Sequence, residues 1–184
     1  MKIKTIFILP VFLLINLVTT AQKVYTKNGN VSFFSKSSME NIQADNNQLV
    51  SVFVPKTGDL QFSVLIKGFH FKKALMEEHF NESYMESDKY PKALFKGTIT
   101  NMSKINVAAD GVYTVEVTGD LTIHGVTQKV TTSGTLTIKS GIITATSKFK
   151  VKLADYKISI PAVVKNNIAE MIEINVSCVY DKKM

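Results

Sequence analysis

From residue 60 onward the chain follows a two-residue rhythm. Leu60, Phe62, Val64 and Ile66 alternate with Gln61, Ser63 and Lys67, with Leu65 alone out of step. Tyr113, Val115, Val117, Leu121 and Ile123 alternate with Thr114, Glu116, Thr118, Asp120 and Thr122. The rhythm continues through Val130, Leu136 and Ile138, through Ile143, Phe149, Val151 and Leu153, and through Ile172, Ile174, Val176, Cys178 and Tyr180. Side chains on a strand point alternately to its two faces, so each run predicts a strand with one buried face. Three further runs predict strands. Residues 31–35 follow Asn28-Gly29-Asn30, residues 49–54 precede Pro55 and the turn at 56–59, and residues 93–101 turn Phe95 and Ile99 inward. Asp110-Gly111 and Ser140-Gly141 predict tight connections.

One stretch breaks the rhythm. Residues 72–88 are good helix formers without Gly or Pro, and Met76, Phe80 and Tyr84 recur at four-residue spacing with Leu75 beside them. That spacing predicts a short amphipathic helix ending before Pro91. Its apolar stripe serves either as core against the sheet or as a lid over a cavity mouth, since both need an apolar face.

About eight strands of this kind, mostly joined by hairpins, close into a barrel, which removes exposed edges. Eight strands leave an interior just wide enough for side chains or one small ligand. The expected fold is mainly β: an extended, eight-stranded antiparallel β-barrel with a short helical segment near residues 72–88. Inward positions mix large Phe62, Phe95 and Phe149 with small Gly97, Gly119, Gly134, Ala145 and Ser147. Small inward residues relieve crowding, mark a bend or leave a cavity, and all three outcomes stay open.

Composition places this barrel outside the cytoplasm. Lys2 and Lys4 precede an almost wholly apolar run from Thr5 to Val18, followed by Thr19-Thr20-Ala21. This is the layout of a secretory signal peptide cleaved after Ala21. The expected organisation is a leader, residues 1–21, and one domain, residues 22–184, periplasmic or secreted. No cysteine follows the apolar run, so lipid attachment there is not expected. The formal charge of +7 falls to +5 without the leader lysines, and the chain has no arginine. Scattered lysines without arginine forks argue against nucleic acid and are compatible with transient contact with a membrane surface. Cys178 is the sole cysteine and shares the apolar parity of its strand, so it is expected to be a buried, inert thiol.

Candidate chemistry is sparse. His70, His79 and His124 lack the spacing of a zinc site, and there is no phosphate loop, dinucleotide fingerprint or serine elbow. No metal, cofactor or catalytic residue is expected. Asp120 and His124 in GDLTIHGVTQ look like an acid-base pair, but four strand residues separate them by about 13 Å at about 3.3 Å each. That stretch reads instead as a strand end, a turn at His124-Gly125 and a strand start, with His124 facing solvent at the rim. Tyr156 reads either as a cap on the core or as a hydroxyl near a ligand headgroup.

Several of these segments, in this order, resemble the YceI-like family of exported lipid-binding proteins. They are Gly58-Asp59-Leu60-Gln61-Phe62, the run from Leu75 to Phe80, Tyr90 to Gly97, Gly119 to Thr127, and Phe149 through Asp155-Tyr156-Lys157-Ile158 to Pro161. The resemblance covers essentially the whole expected domain. It implies a lipocalin-like barrel and a long apolar pocket for a polyisoprenoid or similar lipid. One departure is local: a glycine often follows the Asp-Tyr pair in the family, where this chain has Lys157. Strand parity and the helical stripe nominate Phe62, Val64, Phe69, Leu75, Met76, Phe80, Phe95, Ile99, Val115, Val117, Leu136 and Phe149 as ligand-binding wall. The expected function is a binding protein that carries or sequesters a lipid or isoprenoid ligand. Its rivals are a ligand-free structural or stress-response envelope protein, and an enzyme with a dispersed site among His70, His79, Asp120 and Tyr156.

Overall fold

The alternating runs become strands that pair with their sequence neighbours. The structure, a computed structural model, describes residues 22–184; the expected leader at residues 1–21 lies outside them. Eight strands build the wall: β1 (Val24–Lys36), β2 (Asn41–Val54), β3 (Asp59–Leu65), β5 (Lys92–Ile99), β6 (Gly111–Ile123), β7 (Val126–Lys139), β8 (Ile142–Lys152) and β9 (Met171–Tyr180). Two-residue strands β4 (His70–Phe71) and β10 (Lys182–Lys183) attach to β2 and β1. All pairings are antiparallel, and β9 returns to β1, which also pairs with β2, so the sheet closes on itself. This is an up-and-down barrel without a long free edge.

Two expectations need correction. β1 starts at Val24 and β2 at Asn41, several residues ahead of the apolar runs. Asn28-Gly29-Asn30 does not precede the first strand but lies within it: the β1–β2 register shifts on both sides of Gly29, which marks a bulge. A β-carbon at Gly29 would collide with the Cys178 sulfur, so glycine is what lets β1 approach β9 there. Asp110-Gly111 is not a tight connection either, because residues 100–110 form a longer loop with a 3-10 turn at Met102–Lys104. Ser140-Gly141 does form one, both residues being left-handed.

The helical segment is shorter than its expected span. α1 covers Ala74–His79 and continues as a π-helical turn, Phe80–Tyr84. The wider π geometry keeps Met76, Phe80 and Tyr84 on the barrel side, where all three reach the interior.

The two ends of the barrel differ. At the end formed by the start of β1 and the close of β9, Val24, Phe53, Leu60, Ile99, Ile138, Ile143, Cys178 and Tyr180 are all buried and fill the lumen. The Phe53 and Tyr180 rings meet at 5.8 Å, and the Tyr180 and Ser51 hydroxyls lie 2.7 Å apart. At the other end a second cluster, Ile66, Met85, Leu121, Val151, Tyr156, Ile158 and Ile172, closes only one side. There β7 and β8 also part: they pair over Gly134–Lys139 and Ile142–Ser147, and beyond Gly134 they separate. The Gln128 amide donates to the Asp155 carbonyl at 2.8 Å and bridges the gap.

The small inward residues have distinct roles. Gly97 and Gly119 face each other on β5 and β6, and the Phe95 ring lies over both. A β-carbon on either would strike that ring and the facing backbone. The glycine pair makes room for Phe95 rather than leaving empty space. Gly134 brings β7 close to the Thr146 carbonyl just where the two strands begin to part.

Candidate functional site

Between the filled end and the helical segment lies a cavity of about 410 Å³. All eight wall strands contribute to it. Val31 and Phe33 come from β1, Leu49 from β2, Leu60, Phe62 and Val64 from β3, Phe95 and Ile99 from β5, Val115, Val117 and Leu121 from β6, Val130 and Leu136 from β7, Phe149 from β8, and Ile172, Ile174 and Val176 from β9. None of these side chains can hydrogen-bond; Thr132, Thr135, Thr146 and Ser147 add hydroxyls to the lining near where β7 and β8 part, and the rest of the wall offers apolar contact of no fixed direction.

Eleven of the twelve nominated residues line this cavity: Phe62, Val64, Phe69, Met76, Phe80, Phe95, Ile99, Val115, Val117, Leu136 and Phe149. Leu75 does not. It lies on the outer side of α1, 61% exposed, because only the Met76–Phe80–Tyr84 stripe of so short a helix can face the barrel. Sequence reasoning gave no role to Phe33, which proves central. Its ring lies 5.6 Å from Phe69, 5.7 Å from Phe71 and 5.5 Å from Phe80. Phe80 in turn touches Phe69 at 5.7 Å and Phe71 at 5.0 Å. This aromatic quartet fastens the helical segment to the barrel interior. The doublet Phe33-Phe34 hides it, since only one of two adjacent residues can point inward.

Polar groups gather at the rim. Glu40, His79, Tyr84 and Asn167 border the cavity there. Glu40 receives Lys73 at 2.7 Å, tying the β1–β2 hairpin to the start of α1. The Ala169 amide donates to the Ser35 hydroxyl at 2.9 Å, tying the 157–170 loop to the end of β1. The hairpin, the helix and this loop therefore ring the mouth. Each carries an exposed apolar residue: Met39 (74%), Leu75 (61%) and Val163 (92%).

The dispersed site does not assemble. Asp120 is exposed and stands opposite Lys129. His70 lies near Glu77 on the surface, and His79 is at the rim. No group of three potential metal ligands occurs among the described residues. Tyr156 is buried in the second cluster, and loss of hydration raises its pKa. Cys178 is fully buried, and the same cause pushes its thiol up to about 12. His124 departs from expectation. It does not face solvent: its side chain is 12% exposed and held between Glu86, Tyr90 and the Tyr156 carbonyl.

This architecture has known counterparts. A profile of the YceI-like domain matches residues 17–180. The chain belongs to the YceI-like family. Solved structures agree on the fold. A polyisoprenoid binding domain from Saccharophagus degradans, implicated in plant cell wall breakdown, superposes with a TM-score of 0.75 at 16% identity, covering 87% of this chain and 97% of that one. BcnA of Burkholderia cenocepacia gives 0.68 at 19% identity over 82% and 95%. The YceI protein of Campylobacter jejuni gives 0.56 at 18% identity over the full length of both chains. Among curated proteins no significant sequence match is found. The YceI-like departure at Lys157 leaves the fold intact, for Lys157 takes the left-handed conformation (φ 57°) that a glycine adopts without strain.

Proposed function

We propose that this YceI-like protein is an exported carrier that holds one long apolar molecule, an isoprenoid or similar lipid, inside its barrel. The observation that carries this reading is the cavity: apolar along its length, filled at one end and ringed by loops at the other. The Saccharophagus degradans domain, described as polyisoprenoid-binding, supports the same reading by its shared fold. Burial of a chain in such a wall contributes about 25 cal/mol per Å² of apolar surface removed from water. With few polar groups, the wall selects for length and shape more than for chemistry.

The reading is of binding rather than catalysis, because Asp120, His70, His79 and Tyr156 sit in separate surroundings. The leader pattern at residues 1–21 supports reading the carrier as periplasmic or secreted. Cargo this insoluble must come from and return to a membrane. Met39, Leu75 and Val163 around the mouth suit brief contact with a bilayer surface during that exchange. Native mass spectrometry of protein purified from its own host, followed by solvent extraction, tests the proposal. The expected result is an extractable lipid adduct on the folded protein. Bare protein that also fails to take up a fluorescent prenol would overturn it.

A further inference from the structure

The turn between β6 and β7 carries a contact that a container alone does not require. His124 and Gly125 both have left-handed backbone, with φ of 51° and 73°. For a histidine that conformation is strained. Glu86 (φ 42°) and Lys157 (φ 57°) share it. Glu86 touches the His124 imidazole, and Lys157 follows the residue whose carbonyl does. His124 Nε2 lies 2.8 Å from Glu86 Oε2, and Nδ1 lies 3.2 Å from the carbonyl oxygen of Tyr156, the neighbour of Lys157. The Tyr90 ring meets the imidazole edge-on at 4.7 Å.

Both partners are acceptors. A backbone carbonyl cannot donate, and neither can an ionised carboxylate. An imidazole satisfies the two only when both nitrogens carry hydrogen, as the imidazolium. A neutral ring donates to one and turns a lone pair on the other. We propose that His124 and Glu86 form a protonation-dependent latch on the helical cap, residues 74–90, tight when the imidazole is doubly protonated and loosened when it is neutral.

The latch is well placed to act on the mouth. Glu86 directly follows Tyr84 and Met85, which line the cavity. The other polar anchors at the cap and its ends are Lys73 to Glu40 at 2.7 Å, Lys67 to Asp88 at 2.6 Å, the Phe71 amide donating to the Glu77 carboxylate at 3.1 Å, and the Ile66 amide donating to the Pro91 carbonyl at 2.9 Å. Lysine pairs and backbone bonds do not change charge between pH 5 and 8, whereas histidines do. The charged and titratable groups at the latch are Glu86 and Tyr90 from the cap, with Lys89 against both, and Tyr156 in the turn after β8, where Asp155 and Lys157 are its chain neighbours. Lys89 lies 4.0 Å from Glu86 and 4.9 Å from the centre of the Tyr90 ring, so it competes for the carboxylate from the solvent side. Two other histidines border the cap. His70 is 3.7 Å from Glu77, is 70% exposed, and faces an oxygen that already accepts from the Phe71 amide; His79 is exposed at the rim.

With both nitrogens protonated the imidazolium holds both acceptors and the cap is closed; once the ring is neutral one contact is lost and the cap opens more often. Hydrogen exchange of peptides spanning residues 80–91, corrected for the intrinsic pH dependence of exchange, reads this directly, with β2 and β9 peptides as internal reference. Opening is expected to rise roughly tenfold from pH 5.5 to 8, the scale of one charge-assisted hydrogen bond. His124→Asn keeps a residue that tolerates left-handed backbone and should abolish the rise. Glu86→Gln should reduce it, while His70→Gln and His79→Gln should keep it. A wild-type segment without the rise, or a His124→Asn protein that retains it, would overturn the latch. Global unfolding of a variant would show in the reference peptides, and Glu86→Gln then decides. Only the consequence for cargo rests on the proposed function: release of a dansyl-labelled geranylgeraniol should quicken with pH. If that probe never binds, the carrier reading fails while the exchange measurement still decides the latch.

Discussion

The two ends of this barrel use the same strands and the same alternation for opposite purposes. At the filled end the inward side chains of β1, β2, β3, β5, β7, β8 and β9 meet across the lumen, and even the polar hydroxyls of Ser51 and Tyr180 find each other. At the open end β7 and β8 separate, a π turn and an aromatic quartet stand in for a floor, and the remaining space is the cavity. Close-packed interiors tolerate little change, whereas a lined cavity tolerates substitution and loses occupancy first. Stability and capacity thus reside at different ends.

The sharpest way to break that division is Phe53→Ala. Phe53 is fully buried at the filled end, and the loss should be about 3–5 kcal/mol in chemical denaturation. A small loss would mean that the filled end is not the stabilising one. Alkaline pH probes the same end. Burial raises the Cys178 thiol from 9.0 to about 12, and Tyr180 shifts the same way. An acid whose folded pKa is raised stays neutral in the native state, so its contribution is whole below about pH 9 and is lost as pH climbs toward 12. Unfolding free energy should fall by about 1.4 kcal/mol per pH unit for each group that stays neutral in the native state while ionised in the unfolded one, so Cys178→Ala should remove the fall between about pH 9 and 10 and about halve it above. At the open end the effects are smaller. Phe80→Ala removes the hub of the aromatic quartet from a half-buried site and should cost at most about 2 kcal/mol, with a larger proportional loss in prenol binding. Smallest of all, Leu75→Ser on the exposed rim should leave stability within about 0.5 kcal/mol while slowing cargo transfer from lipid vesicles. Equal transfer rates would remove the rim from the exchange step.

Most of the wall was legible because burial on one face imposes a period of two, and eleven cavity residues were found by that parity and the helical stripe alone. The illegible parts have physical reasons. The first half of β2 is polar because Asn46 is buried yet satisfied, donating to the Leu65 carbonyl and accepting from the Gln48 amide, which no hydrophobic pattern records. Gly29 reads as preceding the first strand but lies within it and serves a close approach to Cys178. His124 turned inward because its partners stand 38 and 32 residues away, and contacts across such distances have no local signature. Its separation from Asp120 was readable, since that needed only the rise of a strand.

The most direct test of an open, cargo-bearing end is a cavity-filling substitution that leaves the filled end alone. Thr132 on β7 is half-buried and borders the cavity where β7 and β8 part. Thr132→Phe should keep the unfolding free energy within about 1 kcal/mol while weakening binding of a fluorescent prenol at least tenfold, equivalent to about 1.4 kcal/mol. Undiminished prenol binding by a folded Thr132→Phe protein would contradict the account.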